Sequence, residues 1–271
     1  MKVGLIQSRT PASQDAALAQ ILPLVREAAA GGAEFIATPE GSNILQKDRA
    51  KLFPALMSLE EDVFVAGMRE AAKDLGVWIL IGSALVRRED GKCANRAVLI
   101  DPQGAITATY DKLHMFDVDL PTGEVARESE SYTPGDRAVV ADIPGTKLGL
   151  TICYDLRFPA LYRALALAGA EVMTIPAAFT RPTGEAHWEV LMRARAIETG
   201  SFVLAPAQGG FHEDGRGTWG HTIVVGPWGE VIARLDHDEP GVLLADLDLA
   251  AAGKARRAIP ALANARAFTG P

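Results

Sequence analysis

The sequence predicts a mixed α/β protein, with strands gathered into mixed sheets and helices outside them. Three observations predict it: short β-rich apolar runs alternate with helical patterns, several strands precede or follow helices, and other strands pair through tight turns. Lys2 to Gln7 reads as a strand, and Asp15 to Ala30 as a helix stopped by Gly31-Gly32. Pro23 inside that pattern is expected to kink or divide the helix. Phe35 to Thr38 reads as a buried strand, and Glu60 to Leu75 as a helix leading into the strand Val77 to Ile81. Asn95 to Ile100 and Ala105 to Tyr110 pair across the turn Pro102-Gln103-Gly104. Residues 111–136 carry no period and many Gly, Pro and acidic residues, so they read as a long loop of the functional kind. Lys147 to Ile152 is a strand, Pro159 to Ala168 a helix, Val172 to Ile175 a strand and Glu185 to Thr199 a helix. Val203 to Ala205, His221 to Val225 and Val231 to Leu235 read as strands, the last two joined at Pro227-Trp228-Gly229. Gly209 to Gly217 lacks a GxGxxG register and reads as a flexible loop rather than a phosphate cradle.

Composition narrows the function classes. Apolar residues make up 48% and charged residues 23% of 271, the profile of a packed protein rather than a disordered or coiled-coil one. A formal charge of -7 weighs against nucleic acid or an anionic membrane as partner, since both select a basic surface. Two cysteines, Cys93 and Cys153, exclude a disulfide framework and point to a reducing, cytoplasmic setting. The N-terminal apolar run ends at Pro11, too short for a signal peptide, and no apolar window has membrane-spanning length. No linker, charge block or repeat divides the chain, which reads as a single domain, 1–271.

Three segments each place a reactive side chain at the end of an apolar strand, where ligand sites of α/β proteins collect. Glu40 follows the buried run Phe35 to Thr38 and Pro39; half-buried there, a carboxylate is expected to have a raised pKa and to act as a general base. Lys112 follows a strand and opens the long loop, where a fixed ammonium can meet an oxyanion. Cys153 sits at a strand-to-helix elbow in GLTICYDLRFP, where helix N-termini and cations are expected to lower its thiol pKa. Cys93, in an exposed-looking stretch, has neither strand nor elbow. His114 and His187 lack an obvious orienting Asn or Asp, so no Cys-His pair is expected. Metal ligation is not expected either, because the cysteines lie 60 residues apart and no HExxH-like spacing occurs.

Glu40, Lys112 in YDKLHMFDVD and Cys153 in GLTICYDLRFP, separated by 72 and then 41 residues, resemble the Glu-Lys-Cys triad of the nitrilase (carbon–nitrogen hydrolase) superfamily. PTGEAHWE, LMRARAIET and GHTIVVGPWG agree, and the resemblance covers about residues 2 to 260. It implies a four-layer α-β-β-α sandwich, a homodimer paired through its helices and no cofactor. It also implies thioester chemistry: Glu40 takes the thiol proton, Cys153 attacks, and Lys112 with the Tyr154 backbone N–H meets the oxyanion. Glu128 matches an additional family glutamate that orients Lys112 and the substrate amine. Within the superfamily the chain is most similar to the branch containing deaminated glutathione amidase and ω-amidase. RARAIET with APAQGG favours deaminated glutathione, cleaved to 2-oxoglutarate and Cys-Gly. The alternatives are an ω-amidase releasing ammonia from 2-oxoglutaramate-type amides, a nitrilase or N-carbamoyl amide hydrolase, and a non-catalytic scaffold of the same fold. Residues 258–271 lack the basic ending common in relatives and form an expected interface extension. A carboxylate-bearing substrate calls for a second cation, and Arg181, entering a Pro/Gly loop after a strand, is the candidate. Arg157, beside the nucleophile, reads as a member of a structural ion pair.

Overall fold

The computed structural model describes residues 1–121, 123 and 125–270. The first half of the chain runs β1 (Lys2–Gln7), α1 (Gln14–Ala30), β2 (Phe35–Ala37), α2 (Arg49–Ala55), α3 (Val63–Leu75), β3 (Trp78–Arg87), β4 (Cys93–Ile100), β5 (Ile106–Asp111), β6 (Asp117–Asp119) and β7 (Val125–Arg127). The second half runs β8 (Val139–Ile143), β9 (Thr146–Leu150), α4 (Pro159–Leu167), β10 (Val172–Thr174), α5 (Arg181–Thr199), β11 (Phe202–Ala205), β12 (Gly209–Phe211), β13 (Gly217–Trp219), β14 (Ile223–Val225), β15 (Val231–Arg234), β16 (Gly241–Asp246) and α6 (Ala250–Ala258).

Two six-stranded sheets result, ordered β16-β1-β2-β3-β4-β5 and β15-β14-β11-β10-β9-β8. In each, three neighbouring strands run parallel (β1-β2-β3 and β9-β10-β11) and the flanking strands run antiparallel. Strand alternation sorts the first sheet's side chains. Leu5, Phe35, Ala37, Leu80 and Leu99 join Leu148, Leu150, Val172, Val203 and Leu243 in one core between the sheets. Their neighbours Ile6, Ile36, Ile79, Ile81 and Val98 point the other way, onto Ile21 and Val25 of α1 and Phe64 and Met68 of α3. Leu161 and Tyr162 of α4, with Trp188 and Met192 of α5, cover the second sheet. The order of layers is α-β-β-α, as the resemblance implies.

Several elements depart from the sequence expectations. The α1 helix runs unbroken through Pro23. That residue lies on the exposed face, where water can satisfy the carbonyl left without its N–H partner. Residues 111–136 are not a plain loop, because β6 and β7 form a small hairpin within them; Thr122 and Glu124 lie outside the described residues. Gly209 to Gly217 is likewise a hairpin, β12 against β13. Cys93 opens β4 and is fully buried, its N–H bonded to the Ser131 carbonyl at 3.0 Å.

One glycine is dictated by close approach. A Cβ on Gly82 in β3 would fall 1.9 Å from the Thr38 carbonyl oxygen and 2.8 Å from that of Pro39, backbone that leads directly into Glu40. Gly82→Ala is expected to cost about 1–3 kcal/mol in thermal unfolding and to lower kcat by displacing Glu40. Unchanged melting and activity together would refute this account of the position.

Candidate active site

The strand ends that carry Glu40, Lys112 and Cys153 converge on one cavity of about 560 Å³, within the usual range for small-molecule sites. All three side chains are buried. Lys112 Nζ donates to Glu40 Oε1 at 3.0 Å and to both carboxylate oxygens of Glu128 at 2.9 Å. Glu40 Oε1 also accepts from Asn95 Nδ2 at 2.9 Å, and Oε2 from the Ala178 N–H at 2.8 Å. Glu128 Oε2 accepts from the Phe116 N–H at 2.6 Å. One ammonium therefore bridges two carboxylates that are each held by a further donor.

This arrangement reverses two expectations about charge. Burial by itself pushes the Glu40 carboxyl up, but the Lys112 ammonium, with hydrogen bonds from Cys153, Lys112 and Asn95, outweighs it and holds the group below its ordinary value. Burial and the adjacent Glu40 carboxylate push the Cys153 thiol well up, against the opposing pull of Lys112. Burial opposes the charge on Lys112, yet Glu128 and Glu40 more than offset this and its pKa stands well above the ordinary value. At neutral pH the site therefore holds an ionised Glu40, a cationic Lys112 and a protonated thiol. A carboxylate facing an unionised thiol can take its proton directly.

Cys153 has φ +49, a left-handed conformation that costs a non-glycine residue about 1–2 kcal/mol. The elbow is pinned on both sides. The Cys153 N–H donates to the Pro176 carbonyl at 2.9 Å, and the Ile152 N–H donates to Asp155 Oδ2 at 2.9 Å. Asp155 is fully buried and also accepts from Tyr110 Oη at 2.7 Å and the His114 N–H at 3.1 Å. It thus ties the segment bearing Lys112 to the segment bearing Cys153. The Tyr154 N–H opens the first turn of the short 3-10 helix Cys153–Arg157 and makes no hydrogen bond to the described residues.

Asn95, Asp155 and Gln208 were not singled out from the sequence. Gln208 Nε2 donates to the Glu40 carbonyl at 2.9 Å and braces the base from behind. The buried polar residue in APAQGG is the signal that could have pointed to it. His114, contrary to expectation, does have an orienting partner: its Nδ1 lies 2.7 Å from Asp155 Oδ1. It stacks on Phe158 with ring centroids 3.5 Å apart and is not part of the cavity wall. Among the described residues no three His, Cys, Asp or Glu side chains converge as a metal site requires. No helix there is long and apolar enough to cross a membrane.

Arg181 and Arg157 exchange the positions expected for them. Arg181 begins α5 rather than lying in a loop, pairs with Asp238, stacks over Phe211 and does not line the cavity. Thr180 as N-cap and Pro182 in the first turn explain the early helix start. Arg157 does line the cavity and has no carboxylate partner among the described residues. Arg181→Ala is accordingly expected to change KM for an acidic amide by less than about two-fold, as for a half-exposed surface pair. A ten-fold rise would return it to the substrate site.

Two sheets packed face to face, with Glu, Lys and Cys side chains meeting at their strand ends, define a class: hydrolases of carbon–nitrogen bonds. The carbon-nitrogen hydrolase family model matches residues 2–257, and the chain belongs to that family. It is 50% identical over 171 residues to the deaminated glutathione amidase of Yersinia enterocolitica, a match covering 62% of this chain and 59% of that protein. It is 41% identical over 251 residues to the Homo sapiens deaminated glutathione amidase, covering 90% of this chain and 75% of that protein. The crystal structure of the C. elegans NitFhit protein superimposes with a TM-score of 0.91 at 30% identity, over 98% of this chain and 65% of that one. The matched region is thus under two thirds of the Yersinia and worm proteins.

Proposed function

We propose that the protein hydrolyses the amide bond of deaminated glutathione, releasing 2-oxoglutarate and Cys-Gly through a thioester on Cys153. The observation that carries the reading is Lys112 Nζ bridging Glu40 and Glu128 in the cavity at the Cys153 elbow. Glu40 accepts the thiol proton as the sulfur attacks the amide carbon. The oxyanion forms against Lys112 Nζ and the Tyr154 N–H, both fixed in advance of the reaction. Glu40, now protonated, returns the proton to the departing amine, because an amide anion is too basic to leave unaided. A water then gives its proton to Glu40 and attacks the thioester, and the Cys153 sulfur departs to regain that proton. Glu128 fixes Lys112 on the oxyanion side through both of its carboxylate oxygens.

The 41–50% identity to deaminated glutathione amidases supports this substrate, and so do the cations on the cavity wall. The decisive assay follows 2-oxoglutarate from deaminated glutathione, beside ammonia from 2-oxoglutaramate and from simple nitriles. A kcat/KM for 2-oxoglutaramate or a nitrile exceeding that for deaminated glutathione would reassign the substrate. The reading treats residues 1–271 as one cytoplasmic catalytic unit acting as a homodimer, with 258–271 extending the interface. Exposed Leu167 on α4 and Val190 and Ile197 on α5 support pairing through the helices. Sedimentation equilibrium at monomer mass would remove the dimer.

A further inference from the structure

The two oxygens of Glu40 are not equivalent. Oε1 accepts from Lys112 Nζ at 3.0 Å and from Asn95 Nδ2 at 2.9 Å, which fills both of its lone pairs. Oε2 accepts from the Ala178 N–H at 2.8 Å and has one lone pair left. The same N–H lies against the Cys153 sulfur, whose thiol hydrogen-bonds to Glu40, so the remaining lone pair is on the nucleophile's side. Asn95 makes this asymmetry. It is a buried polar residue inside the apolar strand β4, and its backbone carbonyl accepts the Lys112 N–H at 3.0 Å. Its Nδ2 also lies 3.5 Å from Glu128 Oε1, so the amide faces both carboxylates that Lys112 bridges. Its own Oδ1 is buried and has no hydrogen-bond partner among the described residues. Turning the amide over would aim that oxygen at two carboxylates. An amide that leaves its own oxygen unpaired is held there for what its N–H groups do.

We infer that Asn95 is a positioning residue for the base: with Lys112 it fills Oε1, so that Oε2 is the oxygen that takes the thiol proton and later returns it to the departing amine. The proton leaves Cys153 Sγ as the sulfur–carbon bond forms, rests on Oε2, and goes to the amine nitrogen as the carbon–nitrogen bond breaks. Without Asn95, Oε1 regains a lone pair, and a proton resting there is turned from the sulfur. Glu40 also loses one of the donors that favour its ionised form, which moves its titration upward. Among the described residues, the titratable side chains hydrogen-bonded to Glu40 or Asn95 are Lys112, Glu128 and Cys153. The inference rests on the amidase reading and adds the residue that orients its base.

Asn95→Leu removes the donor and keeps the branched shape of the side chain. For this variant kcat is expected to fall about ten-fold or more, the worth of one hydrogen bond to a charged group, with KM changing by less than about two-fold. The acid limb of kcat/KM is expected to move to higher pH, which a purely structural loss would not cause. An unchanged kcat overturns the inference, and so does a lower kcat with an unmoved limb. The acid limb of Cys153 alkylation by iodoacetamide reads Glu40 with no substrate present, and it should move in the same direction. Asn95→Asp carries the test if the Leu variant does not fold. The new carboxyl donates to Glu40 only while protonated, and it keeps its proton because Lys112 bonds the other two carboxylates instead. Its kcat/KM should therefore fall as pH rises above the ordinary aspartate value of about 3.9, and a level profile overturns the inference. An alkylation limb that moves in a protein hydrolysing no carboxylated amide would sustain the role of Asn95 and refute the substrate reading.

Discussion

Cys153→Ala is expected to abolish amide hydrolysis, by more than four orders of magnitude, while the protein still folds. Losing the nucleophile of a catalytic unit that acts in concert costs on the order of 10⁶ in kcat. The hydroxyl-bearing residues of the cavity lack the side-chain hydrogen bond to Glu40 that the Cys153 thiol makes. Folding should survive because the elbow is held by backbone and Asp155 bonds rather than by the sulfur. The left-handed φ of +49 supplies an internal control. Cys153→Gly removes the same sulfur and relieves the conformation, so it should melt above the Ala variant, by about 1 kcal/mol in stability. Alkylation separates the two thiols. Iodoacetamide should reach Cys153 in the native protein at a rate that climbs with pH, because its thiol is held up by burial and Glu40. Cys93, fully buried and also raised by burial, should react only on unfolding, and Cys93→Ser should leave kcat unchanged. Residual hydrolysis in Cys153→Ala at a tenth of the original rate would sink thioester catalysis here.

The positions of the reactive side chains were legible because each stands at the end of an apolar run, a local pattern. Their protonation states were not. The rule that a half-buried carboxylate titrates high holds for Glu40 alone; its sign is reversed by Lys112, 72 residues away. The thiol expectation failed for the matching reason. The elbow brings a cation to Cys153, but it brings the Glu40 carboxylate as well, and burial adds to the carboxylate's side.

The two arginines depart from expectation for a different cause. Thr180 and Pro182 carry a helix-start signal that puts Arg181 on α5, beside Asp238, rather than in a loop before Glu185. Arg157 makes no carboxylate pair among the described residues, contrary to the ion pair its sequence position suggests. Its neighbours are instead aromatic rings, Tyr154 next in the motif and Phe179 after another strand. Asp155 lies inside the recognised motif, yet its partners Tyr110 and His114 are 45 and 41 residues away. Bonds of that kind are written in the packing of two sheets, not in any local period. Strand β16 carries its own local signal. Pro240-Gly241 followed by an apolar run marks it, and pairing with β1 explains why Leu243 and Ala245 face the core.

Lys112→Ala is expected to lower kcat by about 100-fold or more, with a smaller change in KM, as for loss of an oxyanion donor. Lys112→Arg should not restore the rate, since a planar fork cannot occupy the point between Glu40 and Glu128. The pH profile carries the sharper test. In the unaltered protein Glu40 is held below its ordinary value, so the acid limb of kcat/KM should have its midpoint below the ordinary carboxylate value of about 4.3. The raised Cys153 and Lys112 predict no break at the ordinary thiol value of about 8.5. Removing the ammonium leaves burial and the Glu128 charge acting on Glu40, and both favour its protonated form. The acid limb should therefore move to higher pH in Lys112→Ala. Stability follows the same sign. A carboxyl raised in the folded state contributes stability below its unfolded pKa and loses it as pH rises through the folded value, so the variant should melt higher in mild acid than at neutral pH. A buried and a half-buried carboxylate without their cation should cost about 3 kcal/mol at neutral pH, which calorimetry across that range will resolve. A variant with unchanged kcat, a raised KM and an unmoved acid limb would make Lys112 a ground-state binding residue instead.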